Sequence, residues 1–394
     1  MRESVRIDQA IRENADILDA ALESHLRKTF LPDSRKTLRT FSSAEAAELL
    51  GLSQSHLRKL HFDGKLPAIE ADGRARRQYR AEDLLEMRDA LAAAAKSGTS
   101  ARFLPGRRPG DKLQVIAIAN YKGGSSKTTA SIHLAQRLAL RGYRVLAIDI
   151  DPQASLTSMF GYRAEIEFAS GGTIYDAIRY ADPVPLRNVI IKTYFPNLDL
   201  APAGLRLADF EHETPIAIRQ QVDPPFYLRL PMALQQVDAD YDVVIIDCPP
   251  QLGFLTLSAM VSATTMLITV IPSMLDVASM SQFLQMASGL LAVVAKYDVD
   301  MSYDFLRFMI TRYEPSDGPQ TQMAALLRSL FGKQVMVETF LKSTAISDAG
   351  LTQQTLYEVD RAQFHRNTYD RAVESINGVA NELETMIQSA WGRT

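Results

Sequence analysis

Two lysines and a threonine surround a pair of glycines in the stretch from Gln114 to Thr129, and together they could hold a phosphate chain. Lys127 and Thr128 follow the loop that contains Gly123 and Gly124. In such a loop the backbone N–H groups point inward, and the N-terminus of the next helix adds partial positive charge. The lysine then reaches the β- and γ-phosphates, and the threonine hydroxyl completes the Mg²⁺ shell. The predicted chemistry is therefore binding of a nucleoside triphosphate with magnesium.

The elements on both sides of this loop fit that chemistry. Residues 114–119 form an apolar, β-branched run that predicts a buried strand, and residues 130–140 have helical periodicity. Ser126 stands where the usual spacing of a phosphate loop has a glycine, and a serine fits there if its backbone stays in a region open to non-glycine residues. The residues predicted to bind the nucleotide here are Gly123, Gly124, Ser125, Ser126, Lys127, Thr128 and Thr129.

Acidic residues end two further predicted strands. The run that begins at Arg144 ends in Asp149 and Asp151, whose side chains share one side while the chain stays extended. The run that begins at Tyr241 ends in Asp247, in the manner of a strand that delivers one carboxylate to a metal ion. Ligands of open α/β sheets collect at such strand ends. Because no glutamate follows Asp247, a strong general base is missing there and slow hydrolysis is expected.

Lys122, which precedes the glycines, gives the loop the pattern K-G-G-x-x-K-[ST]. This pattern resembles the deviant Walker A box of the ParA/MinD family of ATPases, and residues 149–153 resemble the family's D-x-D-P-Q box. The resemblance implies that Lys122 crosses a dimer interface to the partner's nucleotide. It also implies that Asp151 positions the attacking water and that Asp149 helps to hold the Mg²⁺ environment. Thr128 and Asp247 are the other predicted metal-site residues.

Residues just after later core strands hold the adenine in relatives, so the resemblance implies Pro272, Thr311 and Arg312 as candidates. Residues 265–272 and 305–313 read as those core strands, with a methionine-rich amphipathic helix between them. Residues 334–339 are predicted as a further strand. The alternation of strands and helices is that of a doubly wound, mostly parallel α/β fold, as expected for a P-loop ATPase.

A helix-turn-helix is predicted ahead of this fold. Ser42 and Glu45 form a capping box for a first helix, Gly51 ends it, and a second helix starts near Ser53. On the second helix the residues predicted to face DNA are Gln54, Ser55, His56, Arg58 and Lys59. The basic run that follows resembles the wing of MerR-type winged helices and adds Arg74, Arg76, Arg77 and Arg80 as phosphate or minor-groove contacts. The alternative is a small helical bundle whose arginines form a solvated face.

The expected organisation has four parts. Residues 1–39 form an N-terminal helical segment, which packs on a partner or on the next domain, or else is a solvated helix. Residues 40–96 form the winged helix-turn-helix. Residues 97–112 are rich in Gly, Pro and Ser and predict a linker. Residues 113–394 form the ATPase domain.

Composition narrows the functional classes. The chain has 394 residues, 46% of them hydrophobic and 23% charged, as in globular proteins. Its net charge of −3 means that any DNA binding must come from a local patch. A single cysteine, Cys248, excludes disulfides within the chain and argues against a shared iron–sulfur cluster. The polar N-terminus and the short apolar runs predict a soluble cytoplasmic protein.

The family resemblance and the N-terminal motif together imply a plasmid-partition ATPase of the larger, DNA-binding type, closest to the branch encoded by repABC-type replicons. Such a protein is an ATP-switched homodimer that uses ATP and Mg²⁺. It binds DNA without sequence preference, has its hydrolysis stimulated by a ParB-type centromere-binding partner, and represses its own operon. It would be associated with the nucleoid.

Three other interpretations are compatible with parts of the sequence. A MinD-type positioning ATPase that cycles on membranes is disfavoured by the basic wing and by Glu374, Glu382 and Glu384 on the last helix. A ligand-responsive transcription regulator could use the nucleotide domain only as a sensor. A metabolic P-loop synthetase would need neither a helix-turn-helix nor Lys122.

Overall fold

The computed structural model describes residues 6–29, 36–69, 77–96 and 102–393. The chain divides into two compact units, Met1–Thr37 and Leu38–Thr394. The first unit contains helix α1, Ile7–Thr29, as the apolar spacing predicts. The side chains of Ile7 and Ile11 are exposed, so this helix leaves part of its apolar face open.

The second unit begins with a small helical segment. Its elements are β1 (Phe41–Ser42), α2 (Ser43–Leu49), α3 (Gln54–Phe62), β2 (Gln78–Tyr79) and α4 (Ala81–Ala94). The capping box predicted for α2 is present: the backbone N–H of Ser42 donates to the Glu45 carboxylate at 2.8 Å, and Glu45 N–H donates to Ser42 Oγ at 3.4 Å. Gly51 has a φ of +65°, which lets the chain turn between α2 and α3. The predicted order of helix, turn and helix is therefore present.

The small segment shares one hydrophobic core with the residues that follow it. Phe41, Leu57 and Tyr79 are buried in the same cluster as residues of the helix after the phosphate loop, such as Leu134 and Leu138. Strands β1 and β2 pair antiparallel and close this side of the segment. The described residues of this segment, 40–69 and 77–96, are thus packed against the rest of the second unit.

Residues 102–112, which belong to the predicted linker, are also packed against the rest of the second unit. Arg107 N–H donates to the Asp242 carboxylate at 3.0 Å, and the Arg107 guanidinium donates to the carbonyl of Tyr241 at 3.0 Å. At the other end of this stretch, Trp391 Nε1 donates to the carbonyl of Lys112 at 2.8 Å. Residues 97–101 of the predicted linker lie outside the described residues.

A seven-stranded sheet forms the centre of the second unit, in the order β5-β6-β4-β7-β3-β8-β9. The strands are β3 (Gln114–Ala119), β4 (Val145–Asp149), β5 (Ile191–Lys192), β6 (Leu198–Ala201), β7 (Val243–Asp247), β8 (Thr265–Val270) and β9 (Phe305–Ile310). All neighbours pair in parallel except β5, which is antiparallel to β6. The doubly wound, mostly parallel sheet is as predicted.

Helices cover both faces of this sheet. They are α5 (Lys127–Leu140), α6 (Ser155–Met159), α7 (Ala164–Glu167), α8 (Ile174–Ile178), α9 (Ala208–Arg219), α10 (Phe226–Gln235), α11 (Phe254–Ser262), α12 (Met274–Val294), α13 (Gly318–Phe331), α14 (Thr344–Leu351) and α15 (Arg366–Ala390). Alternate strand residues divide between two cores, with Ile116 and Ile118 on the face of α5 and α15. Ala117 and Ala119 face the other core, with α10 and α11.

The strand predicted at residues 334–339 is wrong. A short 3₁₀ helix covers Gly332–Gln334. Beyond it the chain makes only isolated parallel bridges to the edge of the sheet, at Val335 opposite Phe308 and at Leu341 opposite Tyr313. The alternation of Val, Met and Val is strand-like, but this segment meets β9 only at single residues and forms no continuous ladder.

Helix α12 with the turn after it, Met274–Tyr297, is the one helix among the described residues that is long and apolar enough to span a membrane. Its mean hydropathy is 1.5, and 22% of its most apolar window is buried. Length and composition do not separate a membrane span from the crossover helix of a parallel sheet. Here the helix connects the parallel strands β8 and β9 and packs Phe283 into the core.

Candidate functional site

The loop from Asn120 to Ser126 joins β3 to α5 at the carboxyl edge of the sheet. Gly124 has a φ of +75°, and Ser126 follows with φ 66° and ψ 27°, just before α5 begins. These angles lie in the small left-handed region, which a residue with a Cβ can adopt at a cost of roughly 1 to 2 kcal/mol, so the serine fits here with some strain. A glycine there would remove this strain.

The ends of β8 and β9 hold the loop in place. Ser125 Oγ lies 2.9 Å from Thr269 Oγ1, and Thr311 Oγ1 donates to the carbonyl of Ser125 at 3.0 Å. Asn120 Nδ2 donates to the carbonyl of Thr269 at 2.5 Å, while its Oδ1 accepts from Lys122 N–H at 3.1 Å. These contacts between distant strands fix the path of the loop.

Lys127 lies at the first turn of α5 and is only 7% exposed. Its ammonium donates to the carbonyl of Lys122 at 3.2 Å, so the side chain folds back along the inside of the loop. Burial lowers the pKa of Lys127, and the nearby carboxylates Asp247 and Asp151 oppose that shift. The loop thus contains a cation placed where a phosphate chain would lie.

A hydroxyl and a carboxylate meet beside this lysine, as the metal-site prediction requires. Thr128 Oγ1 donates to Asp247 Oδ2 at 2.7 Å, and Ser131 Oγ donates to Asp247 Oδ1 at 2.8 Å. Asp247 is fully buried, and this burial raises the pKa of its carboxyl group. The sequence interpretation missed Ser131, although its position three residues after Thr128 places both hydroxyls on one face of α5.

The two acids at the end of β4 have different surroundings. Asp149 is directly opposite Asp247 in the parallel pair β4–β7 and is fully buried. Its carboxylate accepts from Thr157 N–H and Oγ1, each at 2.8 Å, and from Asp151 N–H at 3.1 Å. Burial, with the neighbouring Asp247, raises its pKa. Asp151 is half-buried, beyond the strand end.

Lys122 forms a salt bridge across the mouth of the loop. Its Nζ lies 3.0 Å from Oδ2 of Asp276, which is the third residue of α12. The same carboxylate accepts a short hydrogen bond from the hydroxyl of Ser273, the N-cap of α12. Asp276 was not predicted as a site residue, but the spacing of Ser273 and Asp276 is that of a helix-capping pair, which was a usable signal.

Two of the three candidate adenine residues touch the loop. Besides Thr311, which binds the Ser125 carbonyl, Arg312 donates through Nη1 to the carbonyl of Gly124 at 3.3 Å. Arg312 has a φ of 50°, which places it in a left-handed turn just after β9. Pro272 is buried after the end of β8.

The candidate DNA-binding residues of α3 share one property: all of them are exposed, while Leu57 between them is fully buried. They are Gln54, Ser55, His56, Arg58 and Lys59. Helix α3 begins at an N-cap, Ser53, whose Oγ accepts from His56 N–H at 3.2 Å. The polar residues therefore form a continuous outer face on a helix anchored by its inner side.

The predicted wing is described only in part. Arg74 and Arg76 lie outside the described residues. Arg77 is half-buried next to β2, and Arg80 is exposed but forms a salt bridge of 2.9 Å with Asp83 on α4. Part of the charge of Arg80 is therefore neutralised within the chain.

The metal and nucleotide groups predicted for this site fit the side chains present. Mg²⁺ prefers oxygen ligands and is usually bound through one or two carboxylates together with substrate phosphates. Thr128 and Asp247 supply a hydroxyl and a carboxylate, next to the Lys127 ammonium. The described residues contain no cluster of three or more acidic, His or Cys side chains that could hold a metal ion alone. The donor set therefore suits magnesium bound together with phosphate.

Comparison with known proteins gives consistent results. Residues 113–296 match the model of a family described as an AAA domain. Replication protein A of Rhizobium rhizogenes is 47% identical over 99% of this chain and 96% of its own length. SopA of Escherichia coli K12 is 28% identical, over 91% of this chain and 92% of its own. The chromosome partitioning protein ParA of Caulobacter vibrioides NA1000 is 29% identical, over 60% of this chain and 84% of its own.

Solved structures share the fold. One described as a partition protein covers 97% of this chain and 99% of its own, with a TM-score of 0.64 at 16% identity. Another is cobyrinic acid a,c-diamide synthase of Mycobacterium smegmatis with bound ADP and magnesium. It covers 61% of this chain and 91% of its own, with a TM-score of 0.51 at 25% identity.

Proposed function

We propose that this chain, which belongs to the ParA family of partition ATPases and resembles RepA, is an ATP-switched dimer that segregates plasmids. The observation that carries the proposal is the pair of lysines on one loop. Lys127 is buried inside the loop, whereas Lys122 stands at its mouth with 41% of its side chain exposed. A lysine inside the loop suits the nucleotide of the same subunit, and a lysine at the mouth suits that of a second subunit.

The nucleotide is ATP, bound with Mg²⁺. The backbone of residues 123–129 lines the phosphates, and Lys127 neutralises their charge. Thr128 and Asp247 would hold the metal, which would supply positive charge to the phosphate oxygens. Asp149 supports this site from behind, because its oxygens already accept hydrogen bonds from Thr157 and from Asp151 N–H.

Hydrolysis is slow and is stimulated by a partner. Asp151 is half-buried, next to the strand end that carries Asp149, and orients the attacking water. The residue after Asp247 is Cys248, which is buried and whose pKa is raised by burial. A neutral thiol does not act as a general base at neutral pH. The chain therefore needs a second protein, of the ParB class, to reach a fast rate.

The adenine lies near the ends of β8 and β9. Arg312 already contacts the Gly124 carbonyl, and Pro272 follows β8 on the same edge of the sheet. This placement supports the assignment of Pro272 and Arg312 to the nucleotide-binding residues.

DNA is bound in two ways. In the ATP state the dimer binds duplex DNA without sequence preference, and it carries the plasmid over the nucleoid with its ParB-type partner. The exposed face of α3, with Arg58 and Lys59, together with the wing, reads the operator and represses the chain's own operon. Leu57 anchors the inner side of α3 in the core, which supports this role by keeping the polar face of the helix outward.

A membrane-cycling role is disfavoured by the last helix. Residues of α15 such as Ile376, Leu383 and Ile387 are buried in the core rather than free to enter a lipid surface. The carboxylate of Glu382 accepts from Val337 N–H at 2.9 Å, and Glu384 pairs with Arg141 at 3.0 Å. These contacts tie the helix to the ATPase fold.

A nucleotide-sensing regulator is the second candidate, since the small helical segment and the phosphate-loop helix α5 are in direct contact. Arg137 on α5 forms a salt bridge of 2.8 Å with Glu48 on α2. Nucleotide binding at one end of α5 could therefore be transmitted to α2 of the small helical segment through this contact.

Plasmid loss and DNA binding together test these roles. Lys122→Ala should abolish stable inheritance, whereas the matched change Lys333→Ala at an exposed lysine should not. ATP-dependent binding to random duplex DNA should weaken steeply with salt, because phosphate contacts release counterions. If Asp151→Ala altered only repression and left inheritance intact, the sensor function would be favoured. Binding that stayed constant from low to high salt would contradict phosphate contact.

A further inference from the structure

We propose that Asp276 is the residue that positions Lys122 within its own subunit and so sets how readily two subunits pair. The proposal rests on the function proposed above, in which Lys122 reaches the nucleotide of a second copy. It adds a residue that the phosphate-loop motif does not contain. Asp276 lies 154 positions after Lys122, on the first turn of α12.

The two side chains differ in exposure. Asp276 is 7% exposed, while 41% of the Lys122 side chain is exposed. A buried carboxylate needs a positive partner, because loss of its water shell disfavours the charged form. In the described part of the chain, Lys122 is the cation within salt-bridge distance of Asp276. Loss of the ion pair should therefore cost more free energy at the buried Asp276 carboxylate than at the exposed Lys122 ammonium.

The hydrogen bonds of Asp276 are unevenly distributed over its two oxygens. Oδ2 accepts from Lys122 Nζ at 3.0 Å and from the Ser273 hydroxyl. Oδ1 is buried and has no hydrogen-bond partner among the residues that the structure describes. A buried oxygen without a donor is costly, so the carboxylate has little to compensate for the loss of Lys122. The contact with Asp276 thus opposes the movement of Lys122 toward a second subunit.

The surroundings of the pair suit coverage by another copy of the chain. Met274 and Leu275, which precede Asp276 on α12, are 69% and 76% exposed. Apolar side chains next to a shielded ion pair are typical of a surface that becomes buried on association. Pairing would then exchange the Lys122–Asp276 contact for contacts between subunits.

Two consequences follow for the wild-type chain. The Lys122–Asp276 contact keeps unpaired subunits from associating at low concentrations of protein or ATP. It also makes pairing depend on the strong attraction between Lys122 and phosphate, so that ADP, which has one phosphate fewer, does not suffice.

The direct test compares Asp276→Asn with wild type by analytical ultracentrifugation, using the full chain with Mg²⁺ and a non-hydrolysable ATP analogue. Asparagine keeps the size of the side chain and removes the charge that holds Lys122. The apparent dissociation constant of the dimer should fall at least fivefold. The matched change Asp348→Asn, at an exposed residue of α14, should alter it less than twofold. Asp276→Glu should restore a value close to that of wild type.

An unchanged or weaker dimer with Asp276→Asn would overturn the proposal. If wild type itself failed to pair, the proposed function would fail instead, so the two failures are distinguishable.

A second measurement, made on unpaired subunits, tests the contact between Lys122 and Asp276 without requiring dimer formation. In the wild-type background, Lys122→Met should lower the free energy of unfolding in urea. In the Asp276→Asn background, the same change should alter this free energy little. The expected coupling is a factor of at least ten in the folding equilibrium, equivalent to about 1.4 kcal/mol. Additive effects of the two changes would show that the residues do not restrain each other.

Discussion

The hydroxyl of Thr128 donates a hydrogen bond of 2.7 Å to Oδ2 of Asp247, a residue 119 positions later in the chain. The contact joins the first turn of α5 to the end of β7. Ser131, one turn further along α5, donates to the other oxygen of the same carboxylate at 2.8 Å. Both oxygens of Asp247 are thus fixed in direction by hydroxyls of α5, which would reduce the cost of ordering a metal site there.

Asp247→Asn should slow ATP hydrolysis without lowering the stability of the fold. Loss of the carboxylate should reduce ATP hydrolysis about a hundredfold, because charge stabilisation at a metal site is usually worth that much or more. The fold should remain as stable as wild type or become more stable, since the burial that raises the pKa of Asp247 penalises its charged form. The measurements are single-turnover hydrolysis and thermal unfolding, with Asp348→Asn as control.

The stability difference between Asp247→Asn and wild type should depend on pH. A carboxyl whose folded-state pKa is raised contributes stability below its unfolded pKa and loses that contribution as pH rises through the folded value. The stability gained by Asp247→Asn should therefore be larger at pH 8 than at pH 5. A variant that unfolded more easily than wild type at pH 8 would contradict this interpretation of the buried carboxyl.

Ser126→Gly should stabilise the chain by about 0.5 to 1 kcal/mol. The left-handed backbone of Ser126 costs a residue with a Cβ roughly 1 to 2 kcal/mol, and part of the gain is offset by the greater freedom of glycine in the unfolded chain. Chemical denaturation measures the gain, and calorimetric ATP titration should show equal or tighter binding. Ala154→Gly is a positive control, because Ala154 is also left-handed, with φ 51°, and should gain stability for the same reason. A destabilised Ser126→Gly chain would show that Ser126 is not strained.

His133 should make the fold sensitive to acid. It is buried on α5, where Nδ1 donates to the carbonyl of Thr129 at 2.7 Å and Nε2 accepts from Leu356 N–H at 3.3 Å. Burial lowers the pKa of His133 to about 4. The unfolded chain binds the proton near pH 6.5, so this residue lowers stability as pH falls from about 6.5 to 4, by up to roughly 3 kcal/mol.

The comparison for this prediction is His133→Gln, which retains a hydrogen-bonding side chain but does not titrate. Its unfolding free energy should depend less on pH than that of wild type between pH 6.5 and 4. His212→Gln, at an exposed histidine of α9, should leave the slope unchanged. Equal slopes for wild type and His133→Gln would contradict the assignment of a neutral buried imidazole.

Glu48→Gln should weaken the attachment of the small helical segment. The Glu48 carboxylate accepts from Arg137 at 2.8 Å and from Asn377 Nδ2 at 3.0 Å. Arg137 is 5% exposed, so the change leaves a buried guanidinium without its acid. Because Glu48 itself is half-exposed and screened by water, we expect a loss of about 1 to 2 kcal/mol in unfolding free energy. Glu86→Gln, at an exposed residue of α4, should cost less than 0.5 kcal/mol.

Local patterns were sufficient to predict the phosphate loop, its two lysines and the acidic strand ends. The apolar runs before Asp149 and Asp247 predict buried strands, and parallel strands bring their carboxyl ends to one edge. Ser42, Glu45 and Gly51 predict the boundaries of α2 through side-chain caps and glycine geometry. These features depend on residues close to one another in sequence.

The remaining features depend on contacts between distant residues. No local pattern connects Lys122 with Asp276, or places Asp149 opposite Asp247 with its oxygens already engaged. The residue before the left-handed Ser126 is held by Thr269 on β8 and by Thr311 just after β9, which are far from the loop in sequence. The strand-like sequence after Gln334 meets the sheet only at single residues. Whether such a segment pairs with the sheet depends on where the fold places it, which the alternation of apolar residues does not determine.

The most direct test of the account is the mass of the purified chain in solution with Mg²⁺ and a saturating non-hydrolysable ATP analogue, measured by light scattering after size exclusion. We predict a dimer for wild type with the analogue, a monomer with ADP, and a monomer for Lys122→Ala that still binds the analogue. A wild-type chain that binds the analogue and stays a single subunit would contradict it.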